Sequence, residues 1–162
     1  MLITETFLKD KKIVIVSHDA GGAEIISSYI KNNQHKYIYV VEGPAVKVFE
    51  RKLGKIEISQ IEEALNDADL VLCGSSWQSD LELKALKLAI KKSIPTVSFL
   101  DHWVLYRERF ERNGEKVFPN TVWVGDALAY KFAQKVIPEV PAHIVDNPYL
   151  KEVEKEYAYN KS

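Results

Sequence analysis

An α/β domain built on a single doubly wound, mostly parallel, Rossmann-like sheet is the fold class this sequence predicts. Three observations carry that expectation. Short apolar runs rich in β-branched residues alternate with longer segments of helical periodicity. Several of the runs are nearly continuous in apolar residues, as expected of strands covered on both faces. Strand–helix alternation implies right-handed crossovers, which put helices on both sides of a parallel sheet.

The elements follow in order. Lys12–Ser17 (KIVIVS) is the first strand. Ala23–Lys31 is a helix with Ile25, Ile26, Tyr29 and Ile30 on one face. Lys36–Val41 is the second strand, and Pro44–Leu53 a helix opened by proline, whose missing N–H costs nothing in a first turn. Ile56–Ile58 is a short third strand, and Ser59-Gln-Ile-Glu62 has the form of a capping box. Leu70–Cys73 is the fourth strand, and Ser79-Asp-Leu-Glu82 a second capping box that opens a helix over Leu81–Lys91. Thr96–Leu100 and Thr121–Val124 are further strands, and Asp126 suits the cap of a helix over Ala127–Lys135. His143–Val145 is the last strand. The predicted spatial order is 3-2-1-4-5, with the last two strands continuing outward. Residues 1–150 form one domain, and 151–162 a polar tail expected to be a helix that frays at its end.

Composition narrows the function classes. A chain of 162 residues with 46% hydrophobic and 28% charged residues can bury a core and stay soluble. Lysine and arginine total 22 against 23 acids, which gives no general attraction to nucleic acid or anionic membrane. The single cysteine, Cys73, lies in an apolar run and reads as inert core. No run reaches the length of a membrane span, and Met1 to Lys12 has no signal-peptide pattern, so a cytoplasmic location is expected. No HExxH or CxxC pattern exists, which argues against a zinc site, and no GxSxG elbow exists. No cofactor is implied.

In a sheet of this kind ligands bind beyond the carboxyl ends of the strands. The segments leaving those ends hold His18-Asp19-Ala20-Gly21-Gly22, Glu42-Gly43-Pro44, Gly74-Ser75-Ser76, Asp101-His102-Trp103 with Arg107 and Arg109, and Asp146-Asn147-Pro148. Gly21 and Gly22 at a helix start let backbone N–H groups approach an anion; a ligand-free tight turn would look the same. His18 suits a general base at neutral pH, or a structural histidine bonded to a carbonyl. Asp101 suits a carboxylate that orients a histidine, and His102 is the alternative catalytic ring. Arg107 and Arg109 could clamp a phosphate or carboxylate on an irregular loop, whereas on a helix they would point apart. Asp19, Glu42, Ser75, Ser76 and Asn147 complete the candidate ligand contacts.

The Gly-Gly loop after the first strand, the passage DLVLCGSS…IPTVSFLDHW, and the ending VWVGDALAYKFAQK…AHIVDNPYL together resemble the N-terminal half of a GT-B-type glycosyltransferase or the related nucleotide-sugar 2-epimerase fold. The resemblance spans residues 12–150. In many inverting members of that fold, a histidine after the first strand deprotonates the acceptor hydroxyl and an aspartate from a later strand end supports it. His18 matches that place, and Asp101 is the candidate partner. Such enzymes bind the nucleotide sugar mainly through a second domain, and this chain ends shortly after Asn147-Pro148. The resemblance therefore implies the acceptor-side half of a split glycosyltransferase in surface polysaccharide assembly, with a separate donor-binding subunit or self-association covering the rim. Two alternatives remain: a non-catalytic module for a sugar, nucleotide or phosphorylated ligand, and a small hydrolase using His18 and Asp101.

Overall fold

A computed structural model describes residues 1–76, 79–101, 106–146 and 148–161. The strands are β1 (Lys12–Ser17), β2 (Lys36–Val41), β3 (Leu70–Cys73), β4 (Thr96–Phe99), β5 (Glu111–Arg112), β6 (Glu115–Lys116), β7 (Thr121–Val124) and β8 (Ala142–Ile144). The helices are α1 (Ala20–Asn32), α2 (Ala45–Leu53), α3 (Ile61–Ala64), α4 (Leu81–Lys91), α5 (Ala127–Val136) and α6 (Pro148–Lys161). Six strands form one sheet in the order β2-β1-β3-β4-β7-β8, and every neighbouring pair is parallel. The chain is thus a Rossmann-like α/β domain. The remaining two strands, β5 and β6, form a small antiparallel hairpin.

Continuous apolar strands are explained by packing on both sides. Ile13, Ile15, Leu72, Phe99 and Trp123 face a layer that includes Ile26 and Tyr29 of α1 and Phe49 of α2. Val14, Val16, Val71, Cys73 and Val124 face the opposite layer, with Ile61, Leu86 and Ala133 from α3, α4 and α5. Trp123 is fully buried, meets Tyr29 and Phe99 edge to face, and donates its indole N–H to the Ile3 carbonyl at 2.9 Å. The N-terminal segment is therefore tied to the sheet, as buried indoles need a partner for their one donor.

The expected strand order holds, with one element reduced. Ile56–Ile58 is not a strand: only a parallel bridge between Ile58 and Tyr39 occupies that edge. Ile58 is exposed, so no packing sustains a longer ladder there. Helix α1 begins three positions before the expected Ala23, which places Gly21 and Gly22 inside its first turn. Neither capping box forms. Helices α3 and α4 have Gln60 and Asp80 at their N-caps without a side-chain cap bond, because Glu62 pairs with Lys84 and Glu82 turns inward. Asp126 does cap α5, accepting from the Ala129 N–H at 2.7 Å.

Candidate active site at the strand ends

Parallel register brings the rim together. Val16 of β1 pairs with Cys73 of β3, and Cys73 with Ser98 of β4, so the segments leaving these strands emerge at one level. Residues 102–105, and so His102, lie outside the described residues, as does Asn147.

His18 leaves β1 partly exposed. Its Nδ1 lies 2.7 Å from Asp19 Oδ1, and that same oxygen accepts from the Ser76 hydroxyl at 2.8 Å. An ionised carboxylate only accepts, so in this pair Nδ1 carries a proton, and in the neutral ring Nε2 is then the nitrogen with the lone pair. The neighbour that orients His18 is thus Asp19, not Asp101. Asp101 instead binds Arg109 at 2.7 Å, and Arg109 also donates to the Ser75 hydroxyl at 2.8 Å. Arg109 is 3% exposed, which makes it a buried structural cation. Through Ser75 and Ser76 the two networks are adjacent along the chain.

Gly43 shows why the second strand's exit matters. Its φ is +58°, and a Cβ placed there would lie 2.6 Å from His18 Nε2. Gly43→Ala is therefore expected to displace the ring and add about 1–2 kcal/mol of left-handed backbone strain. Loss of the His18–Asp19 contact in the variant's crystal structure, with a lower melting temperature, would check it. Unchanged ring geometry would refute it. Glu42, its neighbour, is exposed at the rim and donates its backbone N–H to the Ser17 carbonyl.

Helix α1 presents its first turn to the same place. Its leading amides have no intrahelical acceptor, and the Asp19 carboxylate at the N-cap does not cap them because it is engaged with His18 and Ser76. Gly22 lets this turn approach β3: a Cβ on it would stand 3.5 Å from Gly74 Cα. The result is a helix terminus able to receive negative charge beside a basic ring nitrogen.

Two candidates lie apart from this cluster. Arg107 points to the surface, where it holds Glu139 with both carboxylate oxygens at 2.7 and 2.9 Å. The two arginines of the expected clamp therefore diverge, one partly exposed and one buried. A cavity of about 240 Å³ opens beside the rim rather than over His18, between α4 and the β5–β6 hairpin, lined by residues including Asp80, Leu83, Lys87 and Arg112.

Glu82 is the residue that reading by local pattern missed, since it passed for a capping glutamate. It is 3% exposed, and its Oε1 accepts the backbone N–H of His18 at 3.0 Å. Desolvation raises its pKa to about 7, reinforced by the charge of Asp19 and opposed by hydrogen bonds from backbone N–H groups. The available signal was position: the first turn of a helix following β3 lies at the ligand end of the sheet. The sign of the consequence is fixed. A folded-state pKa above the model value of 4.5 means the native protein binds the extra proton between about pH 4.5 and 7. Stability from this group is therefore full below that window and lost as pH rises through it, by up to about 3 kcal/mol at roughly 1.4 kcal/mol per unit. Glu82→Gln is expected to lose this slope. Denaturant titrations of both proteins at pH 5 and pH 8 measure it, and equal pH dependence would refute it.

Among the described residues no group of three histidine, cysteine, aspartate or glutamate side chains is placed to hold a metal ion. No helix among them is long and apolar enough to cross a membrane. No protein-family model matches the chain, and no curated protein matches it. Among solved structures it is similar to an imine reductase, BcSIRED from Bacillus cereus BAG3X2, at 15% identity and a TM-score of 0.36. That match covers 93% of this chain, which spans only 60% of the reductase.

Proposed function

We propose that this domain is the acceptor-side half of a GT-B-type glycosyltransferase serving surface polysaccharide assembly, with the donor-binding half supplied by another domain or subunit. The observation that carries the reading is the His18–Asp19 pair at the end of β1, beside the open first turn of α1. In the proposed reaction His18 Nε2 takes the proton of an acceptor hydroxyl as that oxygen bonds to the anomeric carbon of the donor. The bond from that carbon to the nucleoside diphosphate breaks, and the diphosphate leaves with the electron pair. Asp19 stabilises the imidazolium that forms, as a carboxylate does at the far nitrogen of a catalytic histidine. Ser76 holds Asp19 in place.

The test combines the chain with the protein encoded beside it, a panel of UDP-, GDP- and CDP-sugars, and lipid-linked or oligosaccharide acceptors. Mass spectrometry reads glycosylated acceptor and released nucleoside diphosphate. Transfer that needs both proteins and an intact His18 supports the reading. Diphosphate release by this chain alone, without acceptor, replaces it with hydrolysis. Saturable binding without turnover in any combination replaces it with a binding module.

A further inference from the structure

Glu82 is a buried acid that the proposed reaction does not use. Its carboxyl reaches from the first turn of α4 past the end of β3 to the β1–α1 junction. A Cβ on Gly74 would lie 3.9 Å from Glu82 Oε1 and 3.7 Å from Gly22 Cα, so the carboxyl and the glycines of two elements share one small space. Oε1 holds the His18 N–H, while Oε2 is buried and has no hydrogen-bond partner among the described residues. An apolar side chain would fill that volume without the desolvation cost of an acid. The capping role that its sequence position suggests is not taken up.

The Cys73 thiol at the end of β3 interacts with the charge of Glu82, but burial pushes that thiol up to about 12 and it stays neutral near pH 7. From the β1–α1 junction Asp19 and His18 face Glu82, and they bond to each other. On its own helix terminus Asp80 pairs with Arg112 from β5. From the segment after β4, Arg109 pairs with Asp101. Glu82 has no ion pair among the described residues, so its charge acts on the junction it touches.

We infer that Glu82 is a positioning residue for His18: its Oε1 anchors the β1–α1 junction through the His18 N–H, and its protonation state sets the strength of that anchor. The inference rests on the reading of His18 as the base. Ionised Glu82 makes a charge-assisted and stronger bond to the N–H, and protonated Glu82 a weaker neutral one. Since burial lifts the carboxyl to about 7, the change falls near neutral pH.

Backbone and side-chain NMR of the whole chain tests this without any substrate. In the wild type the His18 amide proton should move downfield as pH rises, with an inflection near pH 7 that shares its midpoint with the Glu82 side-chain carboxyl carbon and is resolved from any movement that tracks the His18 ring carbons. In Glu82→Gln, which keeps an acceptor oxygen but no titrating charge, that inflection should vanish while the nuclear Overhauser effect between the His18 ring and Gly43 stays. In Glu82→Leu the His18 amide should exchange about tenfold faster, and that effect should weaken. A wild-type amide inflection that follows only the His18 ring carbons, or one at the Glu82 midpoint that persists in Glu82→Gln, overturns the inference, as does a Glu82→Leu variant with unchanged exchange and ring contact. Should Glu82→Leu fail to fold, the wild-type and Glu82→Gln titrations decide the matter alone. Failure of the sugar-transfer assay leaves these signals unaffected, so the two readings fail separately.

Discussion

Replacing His18 with alanine should lower turnover in the transfer assay by about 10²- to 10⁴-fold, the usual worth of general-base catalysis. The ring is partly exposed and its side-chain hydrogen bond is to Asp19, which retains Ser76 as a partner, so melting temperature should move little. Asp19→Asn should produce a loss in the same direction by a different route. Its amide can donate to Nδ1, which favours the tautomer with the proton on Nε2 and removes the lone pair the reaction needs. Because base and orienting carboxylate act as one unit, the double variant should lose less than the two single losses multiplied. Steady-state rates and thermal melts of the three variants measure this. A folded His18→Ala protein with wild-type turnover would end the catalytic assignment, and an unfolded one would make the histidine structural.

Asp101→Ala should destabilise the domain by about 3–5 kcal/mol, the cost of removing one partner of a buried ion pair. The Asp101 and Arg109 side chains are 8% and 3% exposed, so little solvent screening reduces the effect. For a domain of this size that corresponds to a melting temperature lower by about 6–20 °C. Asp101→Leu combined with Arg109→Met should recover much of the loss, because both buried charges are then removed together. Chemical denaturation gives the values. The alternative expected from resemblance, Asp101 as orienting partner of His18, forecasts the opposite pattern for Asp101→Asn: a large loss of turnover with stability nearly intact. The bond from Arg109 to Asp101 and that from Asp19 to His18 favour the structural outcome.

Local chemistry in the chain was enough for the architecture. Ile13–Val16 and Val122–Val124 are apolar at every position because helices cover both faces, and that leaves a parallel sheet as the consistent solution. Crossover handedness then ordered the strands, and the Asp126 cap was legible because capping acts over three residues. The same order located the polar rim, since ligand ends of strands follow from direction alone. Partner choice within the rim was not legible. Whether His18 meets Asp19 or Asp101 depends on where Arg109 goes, and Arg109 is buried against Ser75 and Asp101. Arg107, two residues away, found Glu139 on the surface instead. Glu82 shows the limit most clearly. Its spacing from Ser79 favours a cap worth about 1 kcal/mol, but tertiary packing turned it inward to an amide 64 residues earlier in the chain. Propensities and caps act within a helical turn, so a sequence displays them directly. The pairing of buried charges is a competition among groups brought together only by the folded sheet, where low dielectric makes each pairing matter more than any local preference.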